Sequence, residues 1–270
     1  MGYGSDALGG VIHYYTKSPE LNSATKVISS FSSSFNSANS AIVSNANTAL
    51  SFEKWGSLTS FSYSNFGDIR IGKNRNHGFN DWGLTPYYSF NSRDQYRASP
   101  TKSSDPNIQK NTAYDQFDFF QKFIFRLPKD LMLKINLQYS ESSDIDRYDK
   151  LVEEKNGELR FSEWYYGPQK RFFISPQLKF FIGKNWIKKG TLTLAYQKVD
   201  ESRISRKFGE ISRSHKLETV DVFSLNADFF GNLTGGHSYS YGFEWTNNKI
   251  NSDAYNLDLV LDLENIVGYT

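Results

Sequence analysis

Hydrophobic and polar residues alternate with period two along most of the chain. The pattern is clearest over 117–139. Phe117, Phe119, Phe123, Phe125 and Leu127 share one parity, with Asp118, Lys122 and Arg126 on the other; Phe120 and Gln121 break the rule. Pro128-Lys129-Asp130 turns the chain. Leu131, Leu133, Ile135, Leu137 and Tyr139 then alternate with Lys134, Asn136, Gln138 and Ser140. Successive strand side chains point to opposite faces, so this reads as a hairpin with one apolar and one polar face. The same alternation recurs over 27–35, 42–52, 59–63, 172–180, 192–196, 223–229 and 239–245, giving nine candidate strands. After Ser252 it fades into a polar stretch.

The connections between these strands differ in length. Those near Trp55, Pro128, Lys188 and Gly235 are short, whereas 67–112, 141–169 and 205–216 read as longer connections. Short turns on one side and long loops on the other is the layout of an outer-membrane barrel. The turn at 37–40 is the exception, because it falls on the long-loop side. A soluble sandwich also alternates its faces, but it rarely sustains strands of about ten residues in every hairpin. In a membrane barrel the alternation has a direct cause: a charge on the lipid face costs ~2–4 kcal/mol at the midplane. The expected fold is all-β, a transmembrane antiparallel β-barrel. Nine strands cannot close a bacterial barrel of even strand number, so the barrel is partial.

Composition agrees with this reading. Aromatic residues make up 16% of the 270, with 22 Phe and 17 Tyr, which suits aromatic girdles at a membrane interface. No stretch approaches the ~20 apolar residues of a spanning helix. There is no Cys, which excludes disulfides and thiolate metal sites. The net charge of +2 supplies no global field for nucleic acid, and no nucleic-acid motif accompanies the basic residues. Met1 is followed at once by a glycine-rich stretch, with no signal peptide, so under the barrel reading the chain is a fragment.

That stretch begins with the small residues Gly2, Gly4, Ser5, Ala7, Gly9 and Gly10 and continues into the β-branched and aromatic run 11–16, ended by Pro19. A dinucleotide-binding loop would follow a strand and open a helix, and this one does neither. An ordinary glycine turn before a strand is the plainest reading of the chemistry. Tyr3-Gly4-Ser5-Asp6-Ala7-Leu8-Gly9-Gly10-Val11-Ile12, followed by Thr16-Lys17, resembles the end of the plug domain of TonB-dependent outer-membrane receptors, with His13 where members commonly carry Asn. The resemblance implies the C-terminal end of a plug domain over 1–19, a connector over 20–24, and the N-terminal part of a twenty-two-stranded barrel over 25–270. It also implies uptake of a scarce ligand (iron-siderophore, haem or similar) across a Gram-negative outer membrane. The inner-membrane TonB complex would drive that uptake through a plug region absent from this sequence, so the fragment itself would be inactive. Outer-membrane lipid is then a further partner. A passive porin or adhesin barrel is the alternative.

Little in the sequence points to enzymatic chemistry. No Gly-x-Ser-x-Gly elbow occurs. His13, His77, His215 and His237 are not spaced as a zinc pair. The acidic residues Asp144, Asp146, Asp149, Glu153 and Glu154 lack the spacing of an EF-hand loop. The expectation is no enzyme, no resident cofactor and no metal. Ligand-binding candidates lie in the two long connections: Arg75, His77, Trp82, Tyr87 and Tyr88 in the first, Arg147, Trp164 and Tyr165 in the second. Such residues can stack on a flat ligand and neutralise carboxylates, and a loop His could ligate haem iron. The bland counterparts are a solvated loop His and an aromatic girdle. The two loops are expected side by side, on the side opposite the short turns.

Overall fold

A computed structural model describes residues 12, 14–90, 99–184, 186–232 and 236–261, and the backbone of 263–266. The plug-like motif residues Gly4, Ser5, Ala7, Gly9 and Gly10, and also His13, lie outside these. The strands are β1 (Lys26–Asn36), β2 (Ala41–Ser51), β3 (Trp55–Phe66), β4 (Ile69–Arg70), β5 (Tyr87–Tyr88), β6 (Thr101–Lys102), β7 (Ile108–Gln109), β8 (Tyr114–Leu127), β9 (Leu131–Ser142) and β10 (Ile145–Asp146). A single helical turn, α1 (Tyr148–Leu151), follows. Then come β11 (Glu154–Lys155), β12 (Glu158–Leu159), β13 (Phe161–Tyr166), β14 (Lys170–Lys184), β15 (Ile187–Lys207), β16 (Ser212–Asn232), β17 (Ser238–Asp258) and β18 (Leu263–Ile266).

The fold is all-β, built on one large antiparallel sheet in the order β1-β2-β3-β8-β9-β14-β15-β16-β17-β18. Each long strand pairs with its sequence neighbour among the long strands, and the sheet does not close on itself among the described residues. The nine long strands coincide with the nine alternating segments of the sequence. Paired residues share a face, and the registers place every apolar parity on the same side. Thus Val27, Leu50, Phe123, Ile135, Leu194, Leu225 and Trp245 lie in one row across the sheet, joined through Ser57 and Pro176.

Local exceptions are satisfied locally. Pro176 has no N–H to give the Leu194 carbonyl, and the Ser175 hydroxyl donates to that carbonyl instead (2.9 Å). Gln121 stands on the apolar face, where its amide donates to Ser57 Oγ (2.7 Å) and its carbonyl accepts from Thr59 Oγ1 (2.6 Å). The three-residue turn after Leu127 holds Lys129 and Asp130 at positive φ, the geometry of a tight hairpin.

Three expectations need correction. Residues 205–216 are not a long connection: β15 and β16 stay paired to Ser205↔Ser214, leaving a turn of 208–211. β17 likewise runs on to Asp258, beyond the point where alternation fades. In both places the strands carry polar residues on both faces, so the period-two signal vanishes although the ladder continues. The third case is 141–169, where β9 extends to Ser142 and much of the remainder forms β10, α1, β11, β12 and β13.

Candidate functional site

The apolar face of the sheet is bare. The buried hydrophobic residues are few and scattered, among them Leu58, Ile124, Leu151 and Ile204. By contrast Phe31 (72% exposed), Phe243 (58%), Trp245, Leu194 and Phe223 all stand open on one face of the sheet. A contiguous apolar surface of this extent marks a surface made for something other than water.

That surface has sharp boundaries. Towards the long-loop side the apolar run of that parity ends on an aromatic residue on six successive long strands: Phe117, Tyr139, Phe172, Tyr196, Phe223 and Trp245. The next residue of that parity is polar in each case: Asp115, Glu141, Lys170, Lys198, Asp221 and Asn247. The tyrosines point out of the band. Tyr63, Tyr139 and Tyr196 donate their hydroxyls to Asp115 (3.0 Å), Glu141 (2.5 Å) and Asp221 (2.7 Å), just past the boundary. At the short-turn side, Tyr239 and Tyr241 direct their hydroxyls to the Trp186 carbonyl (3.1 and 3.3 Å). Between the belts stand aliphatic residues such as Leu133, Ile135, Leu178, Leu192 and Leu225.

The boundary also slides across the sheet. From Phe117 on β8 the ladder leads through Glu141, Lys170, Asp200 and Thr219 to Asn251 on β17. The aromatic boundary on β17 is Trp245, six residues earlier after five strand steps. A slip of about 1.2 residues per strand, at ~3.3 Å per residue and ~4.8 Å between strands, means strands tilted by roughly 40° to the belt. Closed barrels tilt their strands by about 35–45°. From Phe172 to Phe180 the band runs ~27 Å along the strand, or ~20 Å in height at that tilt.

The opposite face is polar. Asn45 donates to Ser62 Oγ (2.7 Å) and Ser60 Oγ (3.2 Å), and Asn47 donates to Asn45 (2.6 Å). Asp118 accepts from Ser140 (2.6 Å) and Gln116 (3.0 Å). The N-terminal segment crosses this face. Lys122, buried, donates from Nζ to the Thr16 carbonyl (2.9 Å), Thr16 Oγ1 (2.6 Å) and Ser18 Oγ (3.2 Å). Pro19 is buried over Gly56, where a Cβ would meet its ring at 3.2 Å. Nothing in the sequence pattern revealed this contact, because it pairs residues more than a hundred positions apart.

The two long connections form one layer beyond the aromatic boundary. Thr85, fully buried, shares a hydrogen bond with the Tyr148 hydroxyl (2.8 Å), and Ser89 donates to the Ser162 carbonyl. The second connection is fastened to the sheet through β13, which pairs with the far end of β15. There Glu163 and Arg206, both buried, form an ion pair at 3.3 Å, with Arg213 at 3.9 Å. His215 stacks parallel on Tyr255 (4.6 Å) and accepts from Arg213 Nε (3.1 Å). Burial, with the Arg213 charge second, lowers its pKa to about 4, so the ring is neutral at ordinary pH.

The candidate binding residues fall into two groups. In the first loop His77 lies 5.7 Å from both Phe79 and Trp82, and Phe79 and Trp82 are about two-thirds exposed. Arg75 braces this tip by donating to the Trp82 carbonyl (3.2 Å) and Asn107 Oδ1 (3.0 Å). His77 Nδ1 accepts the Phe79 amide (3.1 Å), so the neutral ring carries its proton on Nε2 and offers a donor rather than a metal-binding lone pair. Tyr87 and Tyr88 form β5, away from that tip cluster in sequence. In the second loop the Arg147 guanidinium lies 4.8 Å over the Trp164 ring, which meets Tyr166 edge-on at 5.4 Å. Tyr165 is buried opposite Ile204 and packs the layer. Phe79 is the partner that sequence reasoning left out of the site; its place two residues from His77 was the available signal.

Among the described residues no group of His, Cys, Asp and Glu could hold a metal ion, and no helix is long and apolar enough to cross a membrane. No family model and no curated protein matches the chain.

Proposed function

We propose that the chain is part of an outer-membrane β-barrel receptor of the TonB-dependent kind, with the apolar face in lipid and the polar face lining the lumen. The observation that carries the membrane assignment is the aromatic boundary, drifting by about one residue per strand at the edge of an exposed aliphatic band. The N-terminal segment on the polar face favours a plugged receptor over an empty porin or adhesin barrel, because a chain that enters the lumen occupies it. The loop layer lies beyond the aromatic boundary, opposite the short turns, so it would be the extracellular ligand mouth. Its exposed Phe79 and Trp82 supply stacking surface, with Arg75 and Arg147 beside the aromatic groups.

Two measurements on the intact protein test this. Single cysteines at Phe123, Phe125, Leu133, Ile135 or Leu137 should react with lipid-confined reagents, and cysteines at Lys122, Lys134 or Asn136 with aqueous ones only. Labelling in the reverse sense would reject the register. Replacing Phe79 and Trp82 together by Ala should weaken binding of the transported iron, haem or glycan ligand by tenfold or more, the order of a lost aromatic hot spot, with barrel assembly unchanged. Unaltered affinity across all three ligand types would move recognition elsewhere.

A further inference from the structure

The polar face carries a row of cations with no acid at the neighbouring ladder positions of the paired strands, although Lys179 shares a cavity with Asp228 and Glu244. Lys122 on β8, Lys134 on β9 and Lys179 on β14 sit on that one face at successive diagonal positions, since Lys122 pairs with Asn136, Lys134 with Gln177, and Met132 with Lys179. Diagonal neighbours of this kind lie ~7–8 Å apart, within mutual reach of long side chains. Each step moves two residues down the strand, close to the direction in which the aromatic belt descends, so the row runs nearly level around the wall. The positions surrounding Lys134 on this face include the cations Lys122, Lys179 and Arg126 and no carboxylate. Asp118 is engaged by Ser140 and Gln116, and Asp228 and Glu244 lie further round, on β16 and β17.

Lys122 indicates what the row takes. Its ammonium is filled by three oxygens, all uncharged, from Thr16 and Ser18, so these described residues of the crossing segment bring no countercharge to it. We infer that Lys134 and Lys179 form a binding station for a small dicarboxylate, its carboxylates meeting the two ammonium groups. Like charges held together on one wall focus potential and favour an anion there. The inference rests on the sheet alone, and so stands or falls independently of the membrane assignment.

The test is trace acetylation of lysines in the intact protein extracted from its cells, read residue by residue by mass spectrometry. It is run in malate and in chloride at matched ionic strength. Lys134 and Lys179 should label roughly threefold or more slowly in malate, as charge-assisted hydrogen bonds occupy their donors, while Lys54 and Lys129 in the turns label equally in both. Lys179→Gln should abolish the protection of Lys134. Equal labelling of Lys134 in the two salts would overturn the proposal. Negligible labelling of Lys134 even in chloride would overturn it too, because another part of the protein would then cover the row.

Discussion

Residues 1–270 produced alone and refolded in detergent should aggregate or stay protease-sensitive. The cause is the pair of sheet edges. β1 offers eleven residues whose outer edge pairs with nothing among the described residues. β17 is 21 residues long, yet β18 covers it only from Tyr255 to Asp258. In hydrocarbon an unpaired backbone group finds no water to replace its partner. Even at ~2 kcal/mol per group, the free N–H and C=O groups of two such edges outweigh the ~5–15 kcal/mol that stabilises a typical domain. Size-exclusion chromatography and heat-modifiable gel mobility read the outcome. A monodisperse, heat-modifiable species of this length would mean that the two edges meet, and would favour a smaller closed barrel over a partial large one.

The sheet was legible in the sequence wherever one face differs chemically from the other. From Phe117 to Tyr139, with breaks such as Phe120 and Gln121, and again from Phe223 to Phe229, apolar and polar residues are sorted by parity, and the ladder follows that parity without a slip. Where both faces are polar, as in Ser205–Ser214 and beyond Ser252, strands continue with no period to read, so the height of β15, β16 and β17 was missed. The aromatic boundary was present in the sequence but invisible as a line. Its members are spread over six strands, and only the registers show that they form an edge. The contacts of the loop layer were illegible for a different reason. Thr85–Tyr148 joins residues 63 positions apart through irregular structure, where no periodicity constrains the partner, and Glu163–Arg206 pairs the short β13 with the far end of β15 across 43 positions. Candidate residues could be picked there by chemical type, and this picks Arg147 and Trp164, which do stack, together with Tyr165, which is buried.

Replacing Glu163 by Ala in the intact protein should detach the loop layer while leaving the long strands of the sheet assembled. Arg206 is 2% exposed and Glu163 6%, so the pair is screened little by solvent. Deleting one member of a buried pair costs about 3–5 kcal/mol, because the other is left charged and uncompensated. Arg213 also faces Glu163, so the substitution removes an acid that two arginines share. The strand affected is β13, the only long contact between the second connection and the sheet among the described residues. The first connection rests on the second through Thr85–Tyr148 and Ser89–Ser162, so both should loosen together. Limited proteolysis of the Glu163→Ala protein should therefore cut within 143–169 and 67–113 at rates well above those of the parent. The aromatic band and its ladder lie beyond the reach of the change, so heat-modifiable mobility of the intact protein should persist. Glu163→Gln keeps the shape and one acceptor for Arg206, and should fall between the two. Protection equal to that of the parent in Glu163→Ala would show that the ion pair does not hold the layer. Loss of heat-modifiable mobility would show that the layer and the sheet fold as one unit.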